Sequence, residues 1–205
     1  MKLHWSPRSP FVRKVMIAAH ATGLAERIEC VRTLAAATQP HPELMRDNPL
    51  SKIPTLVLDD GGALYDSPVI CEYLDGLHDG PKLFPPAGAG RLAALRRQAL
   101  GDGLLDALLA WRGERLRPAD KRSADHLAAY EAKAWAVLDS LEREAPDLAA
   151  TPFGIGQIAV GCALGYLDFR FPELDWRAGR PQLADWQRGF EAHPAVAAVP
   201  VVDDL

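Results

Sequence analysis

Over residues 1–80, apolar and polar positions alternate between two periods. Lys2 to Trp5 is a short strand-like run. Phe11, Val12, Val15, Met16 and Ala19 then recur at helical spacing and predict an amphipathic helix that stops near Gly23. Ile28 to Val31 reads as a second strand, and Pro40 to Met45 leaves room for one short helix before Asn48-Pro49. Thr55 to Leu58 is rich in β formers, Asp59-Asp60-Gly61-Gly62 is a hairpin turn, and Ala63 to Tyr65 returns as the partner strand. Val69, Ile70, Tyr73, Leu74 and Leu77 make a further helical stripe. The order β-α-β-α-β-β-α describes a small mixed sheet with helices on its faces.

Asp79-Gly80-Pro81 and Pro85 to Gly90 punctuate the chain, and beyond them the pattern is helical. Arg91 to Leu116 forms a helix that ends before Pro118, and Leu127 to Glu144 forms another that ends at Pro146. Ile155 to Phe169 is apolar nearly all round, which marks a buried central helix. Leu183 to Phe190 is a last short helix before His193-Pro194. The fold class is thus α/β plus all-α, with a mixed α/β domain over residues 1–80 and an all-helical domain over 88–205.

Composition narrows the function classes. The chain has 205 residues, 48% apolar, enough to bury a core without staples. Its net charge is −4, and Arg91, Arg96 and Arg97 are spread around a helix as a solvated face, so no nucleic-acid partner is expected. No run approaches the roughly 18 apolar residues of a membrane span. Met1 to Pro7 has no apolar core of a secretory leader. Cys30, Cys71 and Cys162 are odd in number and far apart, which excludes a disulfide framework or a Cys-x-x-Cys site and fits a reducing cytoplasm. They read as small buried hydrophobes. The 6 histidines show no ligand spacing, so no metal is expected.

Two serines carry candidate chemistry. Ser9-Pro10 and Ser67-Pro68 each open a helical stripe, with serine as the N-cap and proline at the first helical position. Free backbone N–H groups and the positive dipole end gather there and attract anions. Each pair taken alone is an ordinary cap, and Thr151-Pro152 repeats the pattern. Asn48-Pro49-Leu50-Ser51-Lys52-Ile53-Pro54-Thr55-Leu56 is the second element. A cis Ile53-Pro54 bond turns the Ile53 backbone outward for a peptide-like ligand, although trans is the commoner isomer.

Ser9 to Val15, Asn48 to Leu56 and Asp66-Ser67 resemble the cytosolic glutathione S-transferases, of the bacterial type with serine at the catalytic position. So do Arg180-Pro181-Gln182-Leu183-Ala184-Asp185-Trp186 and His193-Pro194-Ala195-Val196. The resemblance implies a thioredoxin-like N-terminal domain, a C-terminal helical bundle, a homodimer, a detoxification role and a cis Ile53-Pro54 bond. It makes glutathione the co-substrate. Ser9 then donates a hydrogen bond to its sulfur, with Ser6 the weaker candidate. Asp66 and Ser67 hold the γ-glutamyl end, the Ile53 backbone before Pro54 pairs with the cysteinyl segment, and Lys52 meets the glycyl carboxylate. Glutaredoxin-like members carry Cys-Pro-x-Cys where this chain reads Ser9-Pro10-Phe11-Val12, so a mixed disulfide on the protein is disfavoured. The family's Ser/Thr-x-x-Asp box at the buried helix is replaced by Gly154-Ile155-Gly156-Gln157, where Gln157 alone is left to reach back.

The resemblance places a small hydrophobic electrophile between the domains, with Trp111, Arg112, Tyr166 and Arg170 as candidate lining; Trp111 and Tyr166 fit a core role equally well. The reading is a transferase that activates glutathione as thiolate for conjugation, with glutathione-dependent peroxide reduction also open. The alternatives are a non-catalytic glutathione-binding or stress-partner protein of the same fold, and a nucleotide-binding α/β protein. The last lacks a Gly-x-Gly-x-x-Gly turn after its first strand.

Overall fold

The computed structural model describes residues 1–36 and 38–204. The chain divides into two units, Met1–Arg91 with Pro194–Leu205 and Leu92–His193. The first contains β1 (Lys2–Trp5), α1 (Pro10–Ala21), β2 (Glu29–Arg32), α2 (Leu44–Asp47), β3 (Thr55–Val57), β4 (Ala63–Leu64) and α3 (Ser67–Gly76). Segment 194–204, which the sequence pattern places with the helical half, belongs to this unit and carries α8 (Pro194–Ala197).

The strands form one mixed sheet in the order β2-β1-β3-β4. β1 and β2 are parallel, with Trp5 opposite Arg32. β3 runs antiparallel to β1, with His4 opposite Thr55 and Leu3 opposite Leu56. β4 runs antiparallel to β3, with Leu56 opposite Leu64. Leu3 and Leu56 are wholly buried, each worth about 1.5–3 kcal/mol, and a one-residue slip of β3 against β1 would turn Leu56 outward. The hairpin forms as its turn residues predict. Gly61 takes φ +88, and the Asp60 carboxylate accepts the Gly62 N–H at 2.9 Å.

α1 buries Val12, Val15 and Met16 as its spacing predicts. α3 is rotated from the predicted face: Ile70, Cys71 and Leu74 are buried, whereas Val69 and Leu77 are exposed. Its buried Asp75 explains the turn. The Asp75 carboxylate accepts the Leu83 N–H at 2.7 Å and the Phe84 N–H at 3.1 Å, ties that fix the roll of the helix and lie outside any apolar count. His4, isolated in sequence, is buried and bonds Thr33 Oγ1 at 2.9 Å and Asp47 Oδ2 at 2.8 Å. Of the cysteines, Cys71 and Cys162 are buried and Cys30 is exposed, because β2 is the edge strand.

The segment before β3 is fastened from the sheet side by Asn48, which is buried. Its Nδ2 donates to the Lys52 carbonyl at 3.2 Å and to Thr55 Oγ1 at 3.0 Å, and its Oδ1 accepts the Leu50 N–H at 3.0 Å. Thr55 Oγ1 donates in turn to the Lys52 carbonyl at 2.8 Å. Ser51 sits at φ +52.

The second unit is built on α4 (Gly88–Arg115), α5 (Ala124–Ala150), α6 (Ile155–Arg170) and α7 (Pro181–Glu191). α6 is buried from Ile155 to Leu167, as its apolar run predicts. α5 does not end at Pro146, which lies inside it. An interior proline costs a helix about 3 kcal/mol. The buried stripe Ala134, Leu138, Leu141, Ala145, Leu148 crosses that position, and burying Leu148 carries the helix on for another turn. Gly154 caps α6 with no side-chain bond. Gln157 does not reach back to it; its Nε2 donates to the Pro152 carbonyl at 2.9 Å and the Thr151 carbonyl at 3.3 Å. α4 meets α6 at Gly101, where a Cβ would stand 2.6 Å from the Ala159 carbonyl carbon.

Gly101→Ala is therefore expected to destabilise the chain by about 1–3 kcal/mol despite alanine's better helix propensity. Gly103→Ala, with nothing within 4 Å of its Cβ, serves as the control and should be neutral or stabilising. Equal melting temperatures for the two variants would contradict the close approach. Asn48→Ala should cost about 2 kcal/mol, read as a lower urea midpoint at unchanged slope, because it strands buried hydrogen-bonding groups. An unshifted midpoint would deny Asn48 its fastening role.

Candidate functional site

Strand direction gathers the sequence-predicted residues of the first unit. The chain leaves β1 at the end of the sheet where it enters β3, because the two are antiparallel with His4 opposite Thr55. It leaves β4 at that same end, because β4 is antiparallel to β3. Ser9 follows β1, Lys52-Ile53-Pro54 precede β3, and Asp66-Ser67 follow β4. Segments separated by tens of residues thus share one sheet end, and α1 and α3, which start there, pack against each other.

Ser9 is the N-cap of α1, with extended backbone at φ −85 and ψ 119, and Pro10 follows at the first helical position. Its Oγ accepts the Val12 N–H at 3.3 Å. A hydroxyl that accepts still has its own proton to donate, so capping leaves the O–H free for a ligand. The positive end of the α1 dipole stands at the same point. Ser6 is buried, and its Oγ accepts the Arg8 N–H at 3.4 Å, a bond internal to the turn.

Lys52 extends into solvent while its carbonyl is held by Asn48 and Thr55. The Ile53-Pro54 peptide is cis. The Ile53 N–H and C=O have no hydrogen-bond partner among the described residues. Ser67 differs from its expected role. The cap of α3 is Asp66, extended and with no side-chain cap bond, while Ser67 is the first helical residue and is buried. The offset arises because the chain emerges from β4 at Leu64 and is still extended at Asp66. The Asp66 carboxylate is exposed and stands beside the first free amides of α3. Asn48 and Thr55 hold the loop and received no role from the sequence. An asparagine before proline is a turn signal, but its bonds are set by the tertiary position of β3.

The other candidates lie in the second unit. Trp111 is buried, its ring centroid 4.7 Å from that of Phe171, and so is a core aromatic. Tyr166 is also buried, and burial pushes its phenol above the ordinary range, against the opposing pull of the Arg112 and Arg170 charges. The Arg170 guanidinium lies 3.7 Å from the Phe169 ring centroid. A cavity of about 580 Å³ in this unit is lined by Phe153, Trp186, Phe190 and His193 among others, and includes none of the predicted residues. Burial lowers the His193 pKa, and its ring stacks on Phe153 at 3.8 Å.

Among the described residues, no group of three or more His, Cys, Asp or Glu is placed to hold a metal, and no helix is long and apolar enough to cross a membrane.

The family model for the glutathione S-transferase N-terminal domain matches residues 8–77, and that for the glutathione S-transferase C-terminal domain matches residues 124–188. The GST-like protein YibF of Escherichia coli K12, itself uncharacterized, is 35% identical over 185 residues, covering 89% of this chain and 90% of YibF. Among solved structures, a glutathione transferase family member from Pseudomonas fluorescens Pf-5 with bound glutathione superposes with a TM-score of 0.95 at 42% identity, over 98% of this chain and 99% of that one. A glutathione S-transferase from Methylobacillus flagellatus KT with glutathione bound gives 0.87 at 33% identity, over 98% and 99% of the two chains. The mixed sheet with its helical partner unit is the thioredoxin-like and helical-bundle pair that these proteins share. Both halves are matched, and the chain belongs to the glutathione S-transferase family.

Proposed function

We propose that this chain is a glutathione transferase in which Ser9 stabilises the glutathione thiolate. The observation that carries the reading is the meeting of the Ser9 hydroxyl, the unpartnered Ile53 backbone and the Asp66-Ser67 helix start at one sheet end. Relatives with glutathione bound support the choice of ligand.

The roles follow from donor and acceptor types. The Ile53 N–H and C=O offer a strand-like pair to the cysteinyl residue of a tripeptide. The Ser67 amide and hydroxyl suit the α-carboxylate of the γ-glutamyl end, and the Asp66 carboxylate suits its ammonium. Lys52, exposed on the same loop, suits the glycyl carboxylate. With the tripeptide so held, its sulfur lies at the start of α1. A free thiol titrates near about 8.5, and a helix N-terminus with a hydroxyl donor lowers that by about one to several units. The proton leaves to solvent and the thiolate remains as nucleophile, bonding to the electrophilic centre as the leaving group departs or the double bond opens. A thiolate of this kind also attacks hydroperoxides, so peroxide reduction belongs to the same reading. Arg112, Tyr166 and Arg170, which interact electrostatically in the second unit, are the candidates for the electrophile's polar end. A homodimer and a detoxification role complete the proposal.

Ser9→Ala should lower kcat/KM with an aryl halide at neutral pH by about tenfold to a hundredfold, since loss of the donor raises the pKa of the bound thiol and so cuts the fraction present as thiolate. Ser9→Thr should restore most of the loss, and circular dichroism should show the fold intact in both. Unchanged turnover in Ser9→Ala would remove Ser9 from the chemistry. Ser67→Ala should raise the glutathione Kd by about tenfold while shifting Tm little. If Kd stays put, Ser67 is only part of the helix start. Tight glutathione binding without turnover on aryl halides, unsaturated carbonyls and hydroperoxides would favour the binding protein over the enzyme.

A further inference from the structure

The cavity of about 580 Å³ in the second unit has no part in the thiolate chemistry. Its walls come from the end of α5 at Leu148 and Ala149, the start of α6 at Gln157, and α7. The volume falls within the range of about 300–1,000 Å³ that small-molecule pockets occupy. Four rings line it as a run of near-parallel faces. His193 stacks on Phe153 with centroids 3.8 Å apart and planes 3° apart. Phe153 and Phe190 follow at 6.2 Å and 23°, then Phe190 and Trp186 at 5.6 Å and 22°. The Phe190 ring is fixed from behind, because it fills the space that a Cβ at Gly161 would need. Phe153, Trp186 and His193 are only half-buried, so their ring faces remain open to an occupant.

The polar groups of the wall narrow its chemistry. Gln157 lines the cavity and is only 6% exposed. Its Nε2 donates to the Thr151 carbonyl at 3.3 Å and the Pro152 carbonyl at 2.9 Å, which fixes the orientation of the amide. Its Oε1 accepts no hydrogen bond among the described residues. A buried amide oxygen without a donor is costly, and a ligand that brings the donor removes that cost. The other polar lining residues are Thr151, Gln182, Asp185 and His193, with no lysine or arginine among them. Burial lowers the His193 pKa, so its ring is neutral at pH 7. No lining residue offers positive charge to an anion.

We propose that this cavity is a second ligand site, which takes a neutral planar aromatic molecule bearing a hydrogen-bond donor, of the phenol or indole class. The flat ring lies against the faces of Phe153 and Trp186, at the offset-stacking distances aromatic pairs prefer. Its O–H or N–H donates to Gln157 Oε1. Every lining residue belongs to the second unit, so the site is independent of Ser9 and its ligand.

Gly189 offers a way to close the site without removing a wall. It lines the cavity on α7, and a Cβ there meets nothing within 4 Å. Calorimetric titration of the full chain with 2-naphthol should give a Kd of about 100 μM. Gly189→Phe should weaken that binding at least about tenfold by filling the cavity, with an equal or higher Tm because glycine is a poor helix former. Trp186→Ala, which takes away a half-buried ring, should weaken it about tenfold. 2-Methoxynaphthalene, the same ring system with no donor, should bind about tenfold more weakly to the unchanged protein. Undetectable binding of 2-naphthol overturns the proposal. Equal affinity in Gly189→Phe also overturns it, because the naphthol then sits elsewhere. Equal affinity for the methyl ether overturns the assigned ligand class. Absent binding together with a change of mass in solution on Gly189→Phe would give the face to a second copy of the chain instead.

Discussion

The antiparallel pairing of β3 with β1 is the constraint on which the candidate site depends. His4 stands opposite Thr55 and Leu3 opposite Leu56, with both leucines wholly buried. That register sends the Ser9 turn and the Ile53-Pro54 loop to the same end of the sheet. The short hairpin then delivers Asp66 and Ser67 beside them. Shifting the register by one residue would put Leu56 in water and carry Ile53 away from Ser9, so the core that stabilises the unit also positions the site.

Around that pairing the polar groups divide their labour. Asn48 and Thr55 satisfy the Lys52 carbonyl, while the Ile53 N–H and C=O have no partner among the described residues. Ser9 caps α1 as an acceptor and retains its proton as a donor. Asp66 takes the cap position of α3 without closing a bond on the helix, so its carboxylate remains available to a cation. Arg8 and Arg32 sit at the same end of the sheet, held by carboxylates from residues distant in sequence. The first unit thus brings hydroxyl, amide and guanidinium groups to one end of the sheet. The second unit encloses the long apolar α6 and packs it through glycines that admit close backbone approach.

Features set by local chemistry were legible in the sequence. The Asp-Asp-Gly-Gly turn, the Ser9 cap with Pro10 behind it and the buried run of α6 follow from neighbouring residues alone. Features set by distant partners were not. The face of α3 also depends on what Asp75 binds at Leu83 and Phe84, so the apolar stripe places Ile70 and Leu74 in the core correctly but misplaces Val69 and Leu77. Pro146 ends a helix on propensity, yet the burial of Leu148 carries α5 past it. Ser67 and Asp66 are both plausible caps by residue type, and only the path out of β4 separates them. The return of segment 194–204 to the first unit depends on Arg8, Arg13 and Arg32, and no spacing rule links residues so far apart. The cis Ile53-Pro54 bond was legible through the family resemblance alone.

The central claim is that the start of α1 turns a bound thiol into a thiolate. Titrating the ultraviolet absorbance of the thiolate in a saturated glutathione complex measures this without any second substrate. The account predicts a midpoint at least about one pH unit below that of a free thiol. A bound thiol that titrates where free glutathione does would contradict it.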